Sequence, residues 1–286
     1  MGTTVEFRAR GSFTPLTDMV GGGPFRLPPG AWTDDTSMAL CLATSLIECQ
    51  GFDAVDQMKR YCRWHEEGYL SSTGKCFDIG ITIRGSLARF KQNGNPFSGR
   101  TEPTSAGNGC IMRLAPVPMF WHADAGQARH WAGESARTTH GALECVEASR
   151  LLAAMLVKAL AGAGKDEILF GHDPEDFKAE KVRAIAAGDY RTKGEDAISG
   201  SGYVIHCLEA SAWCFWRTDT FREAILQAAN LGDDADTTGA VCGQLAGAFH
   251  GDQGIPGEWL GRLFMADTIR DLADRLHSAG KLAARR

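Results

Sequence analysis

The sequence of 286 residues lacks the features that mark several large classes of protein. Basic residues are not in excess: 30 Lys and Arg stand against 35 Asp and Glu, a net charge of −5. This balance argues against a partner bound through a nucleic-acid backbone. The longest apolar run, near residues 151–163, contains Lys158 and is too short to cross a bilayer. The chain does not open with a charged segment followed by an apolar one, so no secretory signal is predicted.

Paired cysteine motifs are also absent. The nine cysteines include no C-x-x-C pair and no spacing typical of a zinc site. Several of them, such as Cys41, Cys145 and Cys242, lie within apolar helical patterns, where a free thiol acts as a small hydrophobic side chain. Scattered free thiols favour a reducing compartment, so we expect a cytoplasmic protein without a membrane partner.

Alternating strand patterns are nearly absent, and helical periodicity dominates. No low-complexity linker divides the chain, so we expect an all-α, single compact multi-helix domain over residues 1–286. The prolines of the loop 21–30 exclude regular helix there. Helices are predicted at 36–49, from Asp53 to Gly68, at 78–92, at 133–162, from Asp173-Pro174 onward, from Thr220 to about Ala229, at 236–250 and at 257–277.

Two acidic clusters each precede a predicted helix. The first is Thr33-Asp34-Asp35 and the second is Asp234-Ala235-Asp236-Thr237. One Asp or Thr is enough to cap a helix, whereas adjacent carboxylates repel each other by about 1 kcal/mol per pair in a solvent-like dielectric. A cation between them removes that repulsion, and oxygen donors without His or Cys suit Mg²⁺ or Mn²⁺. Facing clusters of this kind predict a site for two Mg²⁺ or Mn²⁺ ions, as in two-metal hydrolases.

Three further segments have a structural explanation beside the functional one. Gly107-Asn108-Gly109 is either a loop that exposes backbone N–H groups to an anion such as pyrophosphate, or an ordinary turn. Asp78 is predicted to lie at the start of a helix, where an acidic residue is a common cap. His140 is a lone histidine, and such a residue often serves only in packing.

Five motifs together resemble one known family. GAWTDDTSMAL, CFDIGITIRGSL, AGNGCIMRLAPVP, TTHGALE and NLGDDADTTGAVCGQLAGAFHG, taken in this order, are similar to the motifs of the ADP-ribosylglycohydrolase family. The match extends from the first residues to about residue 251. The resemblance implies an all-α fold with a dinuclear Mg²⁺ or Mn²⁺ centre. It also implies hydrolysis of the glycosidic bond that joins ADP-ribose to an acceptor.

The resemblance assigns roles to individual residues by motif. Asp233 is left out of the ligand set, because its position is often Gly in the family. The implied metal ligands are Thr33, Asp34 and Asp35 on one side and Asp234, Asp236 and Thr237 on the other. The catalytic candidates are Asp35, Asp78 and Glu6. The implied substrate-binding residues are Ser105, Gly107, Asn108 and Gly109 at the diphosphate and distal ribose, and His140 near the adenosine.

The start of the chain departs from the family pattern. Family members usually begin with a helix that ends in Gly-Asp-Ala-Leu-Gly, followed a few residues later by a Glu. Residues 1–7 match only the end of that motif. We therefore expect the N-terminal helix of the family to be missing, apolar surface to be exposed and Glu6 to be poorly held.

The expected substrate is an ADP-ribosylated protein or a small-molecule ADP-ribose compound, with arginine-linked ADP-ribose first among the acceptors. Serine-linked, nucleobase-linked and O-acetyl acceptors stay open, as do the choice of Mg²⁺ or Mn²⁺ and the oligomeric state. The alternatives are a two-metal phosphoesterase and a relative that binds ADP-ribose with weakened catalysis. Acceptor choice is expected to depend on loops such as 21–30 and 68–77, which carry no decodable motif.

Overall fold

Helices make up nearly all the regular structure of the computed structural model, which describes residues 1–283. Within these residues, strand pairing is limited to three isolated bridges. The predicted all-α fold is therefore confirmed. The thirteen α-helices of the described residues are α1 (Asp34–Glu48), α2 (Ala54–Glu67), α3 (Ile81–Asn93), α4 (Pro116–Phe120), α5 (Ala125–Arg137), α6 (Leu143–Leu160), α7 (Lys165–Phe170), α8 (Glu180–Ala187), α9 (Val204–Arg217), α10 (Phe221–Asn230), α11 (Ala235–His250), α12 (Gly257–Leu260) and α13 (Ala266–Ala283).

Helix α6 lies at the centre of the packing. It contacts α4, α5, α7, α8, α9 and α11, and its residues from Cys145 to Val157 are buried apart from Arg150. A helix that is apolar on nearly every side is stable only when other helices surround it. No helix in the described part of the chain is both long enough and apolar enough to cross a membrane.

Local sequence signals set several helix boundaries as predicted. The Asp53 carboxylate accepts hydrogen bonds from the backbone N–H groups at the start of α2, and Gly68 ends that helix in the left-handed conformation. Thr220 and Glu223 form the predicted capping box at the start of α10. These signals act within one turn of helix, so they are readable without the tertiary structure.

The long helix predicted at 133–162 is wrong. Residues 138–142 separate two helices, α5 and α6, which pack against each other. The break is fixed by contact with a distant segment: the Gly141 N–H donates to the Arg100 carbonyl at 2.9 Å. A Cβ atom at Gly141 would lie 2.7 Å from the Gly99 carbonyl oxygen, so the close approach requires glycine. This tertiary contact overrides the apolar pattern of the sequence.

Two other predicted helices also differ from the structure. The span 257–277 is not one helix, since residues 261–265 separate α12 from α13 and Met265 adopts a left-handed φ of 54°. Asp173-Pro174 begins a single 3₁₀ turn, Pro174–Asp176, and the α-helix α8 starts only after it. Pro at the first helical position is thus compatible with a 3₁₀ turn as well as with an α-helix.

The docking of α13 onto α4 gives a test of the fold. A Cβ atom at Gly280 of α13 would lie 1.9 Å from the Phe120 carbonyl oxygen at the end of α4. We expect Gly280→Ala to lower the free energy of unfolding by about 1–3 kcal/mol. The added methyl group would force α13 and α4 apart, and the two helices would then lose packing contacts. Thermal unfolding should show a Tm lower by roughly 3–10 °C.

Gly239 of α11 is the matched control, since no atom lies within 4 Å of a Cβ placed there. We expect Gly239→Ala to leave the Tm unchanged or to raise it, because alanine favours a helix over glycine by about 1 kcal/mol. An unchanged Tm for Gly280→Ala would contradict the described packing of α13.

Candidate functional site

The acidic clusters lie at the N-termini of α1 and α11, and they do not cap these helices. Thr33 and Asp234 occupy the N-cap positions, yet neither side chain makes a capping hydrogen bond. At α2, α5 and α10 the N-cap side chains of Asp53, Asp124 and Thr220 do accept such bonds. Simple capping therefore does not explain the two clusters.

The Thr33 hydroxyl connects the two clusters. Its oxygen lies 2.8 Å from Asp236 Oδ2 and 3.2 Å from Asp35 Oδ2. The carboxylates of Asp34, Asp35 and Asp236 are buried, and one oxygen from each lies within 4.8 Å of the others. The first turns of α1 and α11 thus place three carboxylates around one point.

A second group of carboxylates adjoins the first. One oxygen each from Glu6, Asp78 and Asp236 also lie within 4.8 Å of one another. Asp236 therefore belongs to both groups. The structure thus brings three of the predicted metal ligands, Asp34, Asp35 and Asp236, together with Glu6 and Asp78, so all three catalytic candidates lie in one cluster.

Glu6 is held in the site, so the expectation that it would be poorly held is wrong. Its side chain is 4% exposed. The Phe7 N–H donates to the Asp233 carbonyl at 2.7 Å, and the Asp233 N–H donates to the Arg8 carbonyl at 2.8 Å. This pairing anchors the segment around Glu6 to the residue before α11. The Asp233 side chain itself is exposed, and its φ of 55° is one that glycine adopts without strain.

Asp78 was predicted to lie at the start of a helix, and that prediction is wrong. Helix α3 begins at Ile81, and Gly80 is its N-cap residue. Asp78 lies in the preceding loop with a φ of 60°, a conformation that is uncommon for a residue other than glycine. The loop backbone, and not a helical turn, therefore directs this carboxyl group toward Glu6 and Asp236.

Burial and mutual repulsion make these carboxyl groups weak acids. Burial, together with the charges of Asp236 and Asp78, raises the pKa of Glu6 to about 10. Burial and the charge of Asp236 raise the pKa of Asp78 to about 8 and the pKa of Asp234 to about 7. In the absence of a cation, part of this cluster therefore holds protons near neutral pH.

The first cluster behaves in the same way. Burial raises the pKa of Asp34 and of Asp35, with Asp35 and Asp236 respectively as the largest neighbouring charges. The α-amino group of Met1 faces Asp236 and Asp35, but its own burial lowers its pKa. Within residues 1–283, no Lys or Arg forms a salt bridge with any of the six carboxylates. The cluster thus has no basic side chain to balance it.

The donor set fits a hard divalent cation. Asp35 Oδ1, Asp236 Oδ1 and Glu6 Oε2 are buried without a hydrogen-bond partner. Such atoms are costly to bury unless something else satisfies them. Carboxylate and hydroxyl oxygens, without His or Cys, are the ligands that Mg²⁺ and Mn²⁺ prefer.

The clusters open into a cavity of about 630 Å³, which we call the acid-lined cavity. Its volume lies within the range of about 300–1,000 Å³ that is typical of small-molecule sites. Thr33 and Asp35 do not line it, but the Thr33 hydroxyl contacts both Asp35 and Asp236, and Asp236 does line it. The predicted site residues that line it are Glu6, Asp34, Asp78, Gly107, Asn108, Gly109, His140, Asp234, Asp236 and Thr237.

Ser105 does not line the acid-lined cavity. Its hydroxyl donates to the carbonyl oxygens of Arg100 and Glu102, at 3.2 and 2.7 Å. It lines instead a neighbouring cavity of about 350 Å³. Since its own loop takes up the hydroxyl, the Ser105 side chain does not reach the acid-lined cavity that the other predicted substrate-binding residues line.

The Gly-Asn-Gly loop is tied to the acidic cluster. Asn108 Nδ2 donates to Asp234 Oδ2 at 2.8 Å, so this amide orients a carboxylate. The backbone N–H of Asn108 donates to the Gly202 carbonyl, and that of Gly107 donates to the Ser105 carbonyl. These two N–H groups are therefore engaged within the protein, as in the ordinary turn that was the alternative to an anion-binding loop.

Arg113 is a positioning residue that the sequence reasoning missed. It is 1% exposed and donates to the Gly109 carbonyl at 3.0 Å and to Thr139 Oγ1 at 2.6 Å. Its guanidinium also lies over the ring of Tyr61, at 4.8 Å. The signal was present, because Arg113 is the one charged residue in the apolar stretch 110–120.

His140 packs directly on the glycine loop. A Cβ atom at Gly109 would lie 2.8 Å from His140 Cε1, and the His140 Nδ1 atom lies 2.9 Å from Thr139 Oγ1. Burial and the nearby charge of Arg113 lower the pKa of His140 to about 3. The imidazole is therefore neutral, and it forms part of the cavity wall.

Comparison with known proteins places this site in a wider group. The model of the ADP-ribosylglycohydrolase family matches residues 1–285. The chain is 42% identical to ADP-ribosylarginine hydrolase Tri1 of Serratia proteamaculans, over 96% of this chain and 75% of that protein. It is 31% identical to the ADP-ribosyl-[dinitrogen reductase] glycohydrolase of Rhodospirillum rubrum, over 93% and 86%.

A solved structure is also similar. The chain of an ADP-ribosylglycohydrolase-related protein complex superimposes with a TM-score of 0.86 at 41% identity, over 98% of this chain and 92% of that one. The similarity therefore covers the fold as a whole and the helices that carry both acidic clusters.

Cation binding predicts opposite effects of one substitution in two buffers. In metal-free buffer we expect Asp35→Asn and Asp236→Asn to raise the Tm, because each removes a charge from a repulsive buried cluster. With Mn²⁺ at about one hundred times its Kd, the wild type should gain about 2.7 kcal/mol, or roughly 5–10 °C in Tm. Both variants should lose most of that gain in differential scanning fluorimetry.

Asp233→Asn is the matched control, because Asp233 neighbours Asp234 in sequence but its side chain is exposed. This variant should keep the full Mn²⁺-dependent shift. A wild type that shows no shift with either Mn²⁺ or Mg²⁺ would contradict a metal centre at this cluster.

Proposed function

The chain belongs to the ADP-ribosylglycohydrolase family, and we propose that it hydrolyses the bond between ADP-ribose and an arginine side chain of a protein. The main observation in support is the acid-lined cavity, in which buried carboxylates without salt-bridge partners lie opposite the Gly107–Gly109 loop and His140. The similarity to an ADP-ribosylarginine hydrolase supports arginine as the acceptor. Free ADP-ribose and an unmodified arginine are the products of this reaction.

The proposed cofactor is a pair of Mg²⁺ or Mn²⁺ ions. Thr33, Asp34 and Asp35 would hold them from α1, and the residues Asp234, Asp236 and Thr237 would hold them from α11. Asp236 belongs to both carboxylate groups, which supports a position for it between two ions. When bound, the ions supply the positive charge that fixes the hydroxyl groups of the ribose and offsets the repulsion among the carboxylates.

The proposed acid–base residues are Glu6 and Asp78. Cleavage breaks the bond between ribose C1″ and a guanidinium nitrogen, and a water oxygen takes the place of that nitrogen. The water loses a proton and the leaving nitrogen gains one, so two proton transfers are needed. Glu6 and Asp78 lie together in the carboxylate group that does not include Asp34 and Asp35, which suits them to both transfers.

The rest of the cavity would hold ADP-ribose. The neutral ring of His140 and the glycine loop form one wall, and a Cβ at Gly109 would strike that ring. Asn108 would act mainly through Asp234, whose carboxylate its amide group orients. Arg113 would keep this wall in place from beneath, by its bonds to the Gly109 carbonyl and to Thr139.

The proposal is tested by turnover of defined peptides. We expect an arginine-ADP-ribosylated peptide to release ADP-ribose, detected by chromatography, with kcat/KM at least about tenfold above that for a serine-linked peptide. EDTA should abolish the reaction, and Mn²⁺ or Mg²⁺ should restore it. Asp35→Asn and Asp236→Asn should each lower kcat by about 10²-fold or more, because each removes charge that organises the cations and the ribose.

Asp233→Asn should retain wild-type turnover and so exclude a general effect of altered charge. Full activity in metal-free protein would overturn the proposed mechanism. Release of AMP in place of ADP-ribose would instead point to a phosphoesterase.

A further inference from the structure

Three phenylalanines border the acid-lined cavity; we call Phe7, Phe25 and Phe77 the aromatic rim. All three line the cavity together with Glu6 and Asp78. Phe25 comes from the loop 21–30 and Phe77 from the loop 68–77, yet their ring centroids are only 5.3 Å apart, with planes inclined at 58°. The two loops thus meet at the cavity through an aromatic pair.

Phe7 is unusual for a phenylalanine in both its exposure and its backbone conformation. Its side chain is 69% exposed, so the hydrophobic core gains little from it. Its φ of 62° is a left-handed conformation, which is strained for a bulky residue. The backbone hydrogen bond to Asp233 holds this conformation. A strained backbone that presents an exposed ring next to Glu6 indicates a ligand that uses the ring.

The charge of the cavity favours a cation as that ligand. Glu6 and Asp78 line it and are not among the proposed metal ligands, so their carboxyl groups stay available to a cationic group when those ligands are occupied. Arg84 also lines it, but its side chain is exposed at the N-terminal half of α3, where water screens its charge. Glu6 and Asp78 belong to one carboxylate group, follow or precede a phenylalanine of the rim in sequence, and line the same cavity as the rim.

We propose that the aromatic rim is the acceptor subsite, in which the guanidinium of the ADP-ribosylated arginine lies against the rings of Phe7 and Phe77. The identification of arginine as the group bound there rests on the proposed function. A planar, delocalised cation is attracted to an aromatic face, and it stacks there more readily than an ammonium group does. A serine acceptor offers neither charge nor a plane. The rim would therefore select arginine-linked substrates through the leaving group.

Binding of a small probe tests the subsite without turnover. The Mn²⁺-loaded protein is saturated with ADP-ribose and titrated with ethylguanidinium, or with its neutral isostere ethylurea, by ligand-observed NMR. We expect the wild type to bind ethylguanidinium in preference to ethylurea. Phe7→Leu and Phe77→Leu keep apolar bulk but lose the aromatic face, and each should weaken ethylguanidinium binding roughly tenfold. Phe264→Leu, at an exposed phenylalanine outside the cavity, should change nothing.

Kinetics on the arginine-linked peptide give the second readout. Phe7→Leu and Phe77→Leu should lower kcat/KM roughly tenfold, whereas the inhibition constant of ADP-ribose should stay at its wild-type value. Phe7→Trp should restore the activity that Phe7→Leu loses. Equal losses of ADP-ribose affinity would overturn the proposal, because the rim would then bind the ADP-ribose itself. Unchanged ethylguanidinium binding in both leucine variants would also overturn it.

The two proposals fail in distinguishable ways. Rim-dependent binding of ethylguanidinium without any hydrolysis of the arginine-linked peptide would support the subsite and contradict the proposed function. Hydrolysis of that peptide at an unchanged rate in the leucine variants would support the proposed function and contradict the subsite.

Discussion

Repulsion among six clustered carboxyl groups, four of them buried and two half-buried, is the interaction on which the site depends. Two unit charges 4 Å apart repel by about 1 kcal/mol in water and by about 4 kcal/mol near a protein surface. Asp236 is repelled by both carboxylate groups, because it shares one group with Asp34 and Asp35 and another with Glu6 and Asp78. The N-termini of α1 and α11 offset part of this repulsion through their dipoles. A cation site explains the remaining unpaired oxygens better than helix capping does.

Strained backbone conformations help to bring these groups together. Phe7, Asp78 and Asp233 all have left-handed φ values, and all lie at or beside the cavity. Hydrogen bonds between Asp233 and its neighbours on the N-terminal segment hold two of them. The break between α5 and α6 has a similar effect, because it places His140 against the glycine loop. Irregular backbone at these positions thus helps to form the site.

The sequence predicts the chemistry of the site better than its geometry. The acidic clusters are readable because adjacent carboxylates have few purely structural uses, and Thr220 is readable because a capping box acts within one turn. The break at residues 138–142 is not readable, since it depends on a contact between Gly141 and a segment far away in sequence. The orientation of Ser105 and the pairing of Phe25 with Phe77 depend on loop conformations that no periodicity encodes.

The proposed pair of divalent cations would lie around Asp236, between the N-termini of α1 and α11. Anomalous X-ray diffraction from crystals grown with Mn²⁺ tests this position most directly. We expect two anomalous peaks about 4 Å apart, one beside Asp34 and Asp35 and one beside Asp234, both within bonding distance of Asp236. Peaks confined to surface carboxylates, with the six clustered carboxyl groups hydrogen-bonded to one another, would contradict a metal centre at this cluster.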